Sequence, residues 1–112
     1  MTDGTPGFER LRSEGRVEWA PRERAWVGRP DEIVSALASD GFQEYKHEVV
    51  RGGRNRTPTA GLWQGMNNET GAVGSAVWIR QAHAERAIIF VDIDGERLTV
   101  EMGGLEGPPK PP

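Results

Sequence analysis

The clearest alternation of apolar and polar positions falls in residues 87–102, AIIFVDIDGERLTVEM, on either side of Asp94-Gly95. An Asp-Gly pair between two apolar runs is the strongest local signal for a β-hairpin, because a type I′ turn needs positive φ at both central residues. With that turn, Ile93 pairs with Glu96, Asp92 with Arg97, Val91 with Leu98, Phe90 with Thr99 and Ile89 with Val100. Ile89, Val91, Leu98 and Val100 then share one face, and Asp92 meets Arg97 on the other. Ile88 and Phe90 are apolar as well. The first strand is therefore expected to be covered on both faces and central in its sheet.

Upstream, residues 30–42, PDEIVSALASDGF, carry the pattern of a helix. Pro30 suits the first helical position, Asp31 and Glu32 favour the positive end of the helix dipole, and Gly41 suits the stop. Ile33, Val34, Leu37 and Ala38 form its apolar stripe. Residues 43–51 alternate, with Tyr45, His47 and Val49 on one side, which predicts a half-buried strand. Residues 52–60, GGRNRTPTA, are a loop by composition. Residues 61–66 and 72–80 flank NNETG and predict a second hairpin. Gly61, Gly65, Ala72, Gly74, Ser75 and Ala76 leave those two strands nearly bare of side chains, the mark of a bulge or of another group approaching closely. Residues 16–29 hold Trp19 and Trp26 around Pro21, and read as a short hairpin or an extended arm.

The expected fold is thus α+β, with one principal helix packed on an antiparallel sheet of about five strands (order α-β-β-β-β-β) and a Trp-containing N-terminal arm or short hairpin. At 112 residues the chain fits one small domain. Residues 16–103 are its expected extent. Residues 1–15 are polar and Gly-rich, and are expected to be disordered. Residues 104–112 are expected to form a flexible Pro-rich tail.

Composition narrows the function classes. The chain has no cysteine, which excludes disulfides, thiolate metal sites and a cysteine nucleophile. The N-terminus lacks the apolar core of a signal peptide and no run is long enough to span a membrane, so a cytoplasmic protein is expected. The net charge is −3. Residues 1–60 carry ten basic and ten acidic groups, while residues 61–112 carry four basic and seven acidic. The C-terminal half is the acidic one, and the chain lacks a general basic footprint for nucleic acid.

His47 is the first candidate catalyst. Arg51, Arg54 and Arg56 follow it, and a histidine base beside guanidiniums suits cleavage of an RNA phosphodiester. His83 is the candidate second group. The plainer reading is a strand-edge histidine followed by a solvated arginine loop. The run from Arg51 to Arg56 lacks the Lys-Ser/Thr ending of a phosphate-binding P-loop. Trp63 and Trp78, set among Gly and Ala, form the best candidate partner surface, since Trp is enriched at interface hot spots. The plainer reading there is cover by the 16–29 arm. Asp92, Asp94 and Glu96 resemble paired carboxylates for Mg²⁺, but turn geometry and the Asp92–Arg97 pair account for their spacing. No metal or cofactor is expected.

These features favour a small non-enzymatic protein-binding module of the adaptor, inhibitor or immunity-protein type, using the Trp/Gly/Ala strand surface and the acidic C-terminal half. The alternative is a small ribonuclease or RNA-binding domain built on His47 and the Arg51–Arg56 loop. Another protein is the expected partner, with nucleic acid as the alternative and a homodimer formed by edge pairing of the central hairpin as a further arrangement.

Overall fold

A computed structural model of the chain describes residues 5–54, 56–80 and 84–100. Two helices and seven strands follow in the order α1 (Pro6–Ser13), β1 (Val17–Ala20), β2 (Ala25–Gly28), α2 (Pro30–Ser39), β3 (Phe42–Gly52), β4 (Thr57–Asn67), β5 (Val73–Ile79), β6 (Ala87–Ile93) and β7 (Glu96–Arg97). All seven strands join one antiparallel sheet, ordered β1-β2-β6-β5-β4-β3, with β7 beside β6. This corrects the expected single helix on about five strands.

The extra helix lies where a disordered N-terminus was expected. Helix α1 has only Phe8 and Leu11 to bury, and both are buried. Three residues apart, they fall on one helical face. Phe8 sets its ring edge-on against Trp26, with centroids 4.9 Å apart. The start of α1 is capped from afar. The Asp40 carboxylate, just past the end of α2, accepts the backbone N–H of Gly7 and of Phe8. A cap supplied from 33 residues away has no local signature.

The Asp-Gly turn forms as expected, with φ of 53° at Asp94 and 83° at Gly95. Ile93 pairs with Glu96 and Asp92 with Arg97. The regular ladder ends there, although the Leu98 N–H still donates to the Val91 carbonyl at 2.7 Å, as the expected register requires. The edge of β6 is taken by β2, through Trp26 with Ile89, Val27 with Ile88 and Gly28 with Ala87. That pairing draws the Trp-containing hairpin into the sheet. Leu98 and Val100 still reach the core side, and the Leu98 carbonyl accepts the buried Trp26 indole N–H at 2.9 Å.

Both helices lie on one face of the sheet, and the core fills that side. It joins Phe8 and Leu11 of α1, Ile33 and Leu37 of α2, and Trp26, Trp63, Trp78, Ile89 and Val91 of the sheet. Helix α2 buries Ala36 against α1 rather than Ala38, because a second helix lies beside it. No helix among the described residues is long and apolar enough to cross a membrane.

Strand β3 departs most from expectation. It forms the outer edge, and every residue from Gln43 to Arg51 is exposed rather than half-buried. A bulge leaves Tyr45 unpaired between Glu44, opposite Gly65, and Lys46, opposite Gln64. The extra residue shifts the alternation, so Glu44 joins His47 and Val49 on the helix side.

Candidate functional site

Trp63 and Trp78, expected as a partner surface, belong to the core. Trp63 is fully buried and Trp78 is 5% exposed. The glycines that looked like an open surface are the space the indoles occupy. A Cβ on Gly61 would lie 2.4 Å from the Trp78 indole nitrogen, and one on Gly65 would lie 2.5 Å from Trp63. Phe42 fills the place above Gly74 in the same way. The bare strands approach their own side chains, not a partner's.

Where α2 ends its cover, a cleft of about 370 Å³ opens over Trp78. Pro30, Val34, Val49 and Pro58 give it apolar walls, Asp31, Arg51 and Arg80 bring charge to its rim, and His47 adds an imidazole. Much of that charge is engaged. The Arg80 guanidinium donates two hydrogen bonds to the Pro58 carbonyl, at 3.2 and 2.6 Å, and lies over the Trp78 ring. Arg51 donates to the Arg56 carbonyl at 3.3 Å. The His47 Nδ1 atom is 3.6 Å from Glu44 Oε1, too far for a hydrogen bond. That same Glu44 oxygen accepts the Trp63 indole N–H at 2.8 Å.

The cleft therefore brings together His47 and Arg51 of the expected constellation, and adds Arg80 and Asp31. Arg54 and Arg56 are exposed and do not line it. His83 lies outside the described residues. Within the described residues His47 has no partner at hydrogen-bonding distance that fixes its tautomer, which a general base requires.

Two carboxylates of the Asp92–Asp94–Glu96 string are engaged in the fold, and Glu96 is exposed. Asp92 accepts from Arg97 at 2.6 Å, and Asp94 accepts the Val73 backbone N–H at 2.9 Å. No group of three or more His, Asp or Glu side chains placed to hold a metal occurs among the described residues.

The largest unexplained feature is the face of the sheet away from the helices. Register places its side chains in rows across the strands. One row reads Val50, Ala60, Ile79, Ile88 and Val27; the next reads Glu48, Leu62, Val77 and Phe90. Beyond these lie Lys46, Gln64, Ser75 and Asp92. Val50 is 59%, Ile79 56% and Val77 42% exposed. The other apolar members of both rows are half-buried. An apolar surface this continuous, with a polar border, is what interaction sites present. The sequence held a signal for it: Val77 and Ile79 alternate with Trp78, so the two sets must face opposite ways. The expected cover on both faces of β6 is not supplied by the described residues, since Ile88 and Phe90 lie in these open rows.

Comparison of the chain with models of protein families, with curated proteins and with solved structures gave no significant match.

Proposed function

We propose that the chain is a small non-catalytic protein-binding module that works through the open face of its sheet. The observation that carries this reading is the pair of apolar rows centred on Leu62, Val77 and Ile79, left bare while every large core side chain is packed on the other side. Water contact along such rows is unfavourable by about 25 cal/mol for each Å² of apolar surface, so a second protein surface laid on them gains what the helices gain on the opposite face.

A photo-crosslinking residue at position 77 tests it, with the exposed turn residue Arg22 as the control position. A discrete protein adduct in the cells that make the chain, formed from position 77 and absent from position 22, supports the reading. Absence of any adduct from position 77 overturns it.

A second reading draws on the cleft, where His47 and Arg51 share one rim: binding or cleavage of an RNA phosphodiester. Incubation with a labelled ribo-oligonucleotide decides it. Cleavage or retention that is lost in His47→Ala and Arg51→Ala supports this reading; activity equal in wild type and both variants, or absent throughout, ends it.

A further inference from the structure

We infer that the surface docking on the open face is the same face of a second copy, giving a two-fold dimer of stacked sheets. This rests on the protein-binding reading above and names its partner.

The register makes the face complementary to itself. A two-fold axis parallel to the strands, passing over the junction of β4 and β5, lays β4 on β5 of the other copy and β3 on β6. Every row is kept. Ala60 then faces Ile79 of the second copy, and Leu62 faces Val77. Val50 faces Ile88, and Gln64 faces Ser75. Aliphatic side chains meet aliphatic ones, with Ala60 under the larger Ile79, and polar meets polar.

The charges at the borders agree as well. Lys46 lies opposite Asp92 of the second copy, since β3 and β6 are equally far from the axis in that row. Glu48 lies opposite Phe90, whose ring carries the Arg97 guanidinium 4.9 Å from its centroid. Lys46 already lies 3.9 Å from Glu48, and Arg97 2.6 Å from Asp92, within each chain, so the two-fold joins these pairs into two mixed-charge clusters of four that rim an apolar centre. An arrangement that placed β3 on β3 would set Glu48 against Glu48.

The size of the face is sufficient for a modest dimer. The four overlapping strands, about 4.8 Å apart, and three rows about 6.8 Å apart cover roughly 400 Å² in projection, so the pair buries on the order of 800 Å², in the range of weak, reversible interfaces. A reversible dimer is expected. Sheets stacked with their strands nearly aligned form an ordinary sandwich, the twist setting them about 30° apart.

Sedimentation equilibrium of the full chain, from about 1 to 200 µM, reads the dimer directly, a range suited to an interface of this small area. Wild type is expected to dimerise within this range. Val77→Glu, which places two unpaired carboxylates at the apolar centre, is expected to raise Kd at least about a hundredfold with an unchanged far-UV spectrum. Should that variant fail to fold, Glu48→Arg decides. Its site is exposed, and it sets like charges at the rim, with an expected loss of about tenfold that shrinks in high salt. A wild-type chain that stays monomeric throughout overturns the inference, and so does a dimer indifferent to the deciding variant.

The crosslinking experiment separates this from the broader reading. A monomeric chain whose position 77 still joins a different protein removes only the homodimer. An adduct at twice the chain mass supports the homodimer.

Discussion

The two faces of the sheet are built from different side chains toward different ends. The helix side pairs the largest side chains with none at all: Trp78 over Gly61, Trp63 over Gly65, Phe42 over Gly74. The open side has no glycine in its central rows. It carries Val, Ile and Leu of similar height, with Ala60 the smallest. An interlocked face is committed to one internal arrangement, since each indole fits the gap left by a single missing Cβ. An even face fits another even face. The contrast teaches that glycine in these strands marks internal packing, and that the β-branched residues between them mark the surface left for contact.

The sharpest way to break the covered face is Gly61→Ala. The new Cβ would sit 2.4–2.6 Å from three atoms of the Trp78 indole. That ring is only 5% exposed and has the Arg80 guanidinium over it, so strand or indole must shift. A loss of about 3 kcal/mol is expected, at the upper end for overpacking. Urea unfolding followed by Trp fluorescence measures it, and a loss below about 0.5 kcal/mol would mean that the indole moves freely, contrary to close packing.

How much of this was legible in the sequence follows from the same contrast. The Asp94-Gly95 turn and the limits of α2 depend on residues adjacent in the chain, and both could be read. The cap of α1 by Asp40, the capture of the β6 edge by β2, and the bulge at Tyr45 depend on residues brought together only by the fold, and none had a local mark. For Trp78 the sequence leaves both a partner surface and cover within the chain open, and the fold decides for cover. Its alternation with Val77 and Ile79 was plain, but alternation does not say which face the helices take. The cleft was legible only in part. His47 and Arg51 stood out by spacing, whereas Arg80 and Asp31 reach it from other elements.

A smaller effect is expected where α1 meets α2, at the margin of the covered face. Burial raises the pKa of Asp40 above its ordinary 3.8, and the hydrogen bonds from Gly7 and Phe8 only partly offset this. Burial likewise raises Glu9 above 4.5, with Arg12 opposing and the nearby Asp40 charge adding. A carboxyl whose pKa is raised on folding binds its proton more tightly in the folded chain. Its contribution is therefore full below the unfolded pKa and is lost as pH rises through the folded value. Asp40→Ala, which removes the acceptor, is expected to cost about 1 kcal/mol at neutral pH, as for other helix caps. Asp40→Asn keeps an acceptor without the charge. It is expected to match or exceed wild type at pH 7, by a margin that narrows as pH falls toward 4.5. Thermal unfolding of the three proteins across that range checks the sign, and a margin that widened on acidification would refute the assignment.

The smallest effect on the monomer is expected on the open face, and its smallness is what makes the comparison informative. Ile79 is 56% exposed and lies opposite Ala60 on one side and Ile88 on the other. Ile79→Thr keeps a β-branched residue, so the strand preference is retained and little packing within the chain is lost. Below the dimer Kd, unfolding free energy is expected to change by no more than about 0.5 kcal/mol, as for surface sites free of special features. The same variant sets two hydroxyls against the Ala60 methyl groups of a stacked pair, where each lacks a hydrogen-bond partner. The dimer is therefore expected to weaken although the monomer does not. Equal losses in both states would mean that Ile79 is packed within its own chain, and that the open face belongs to the core after all.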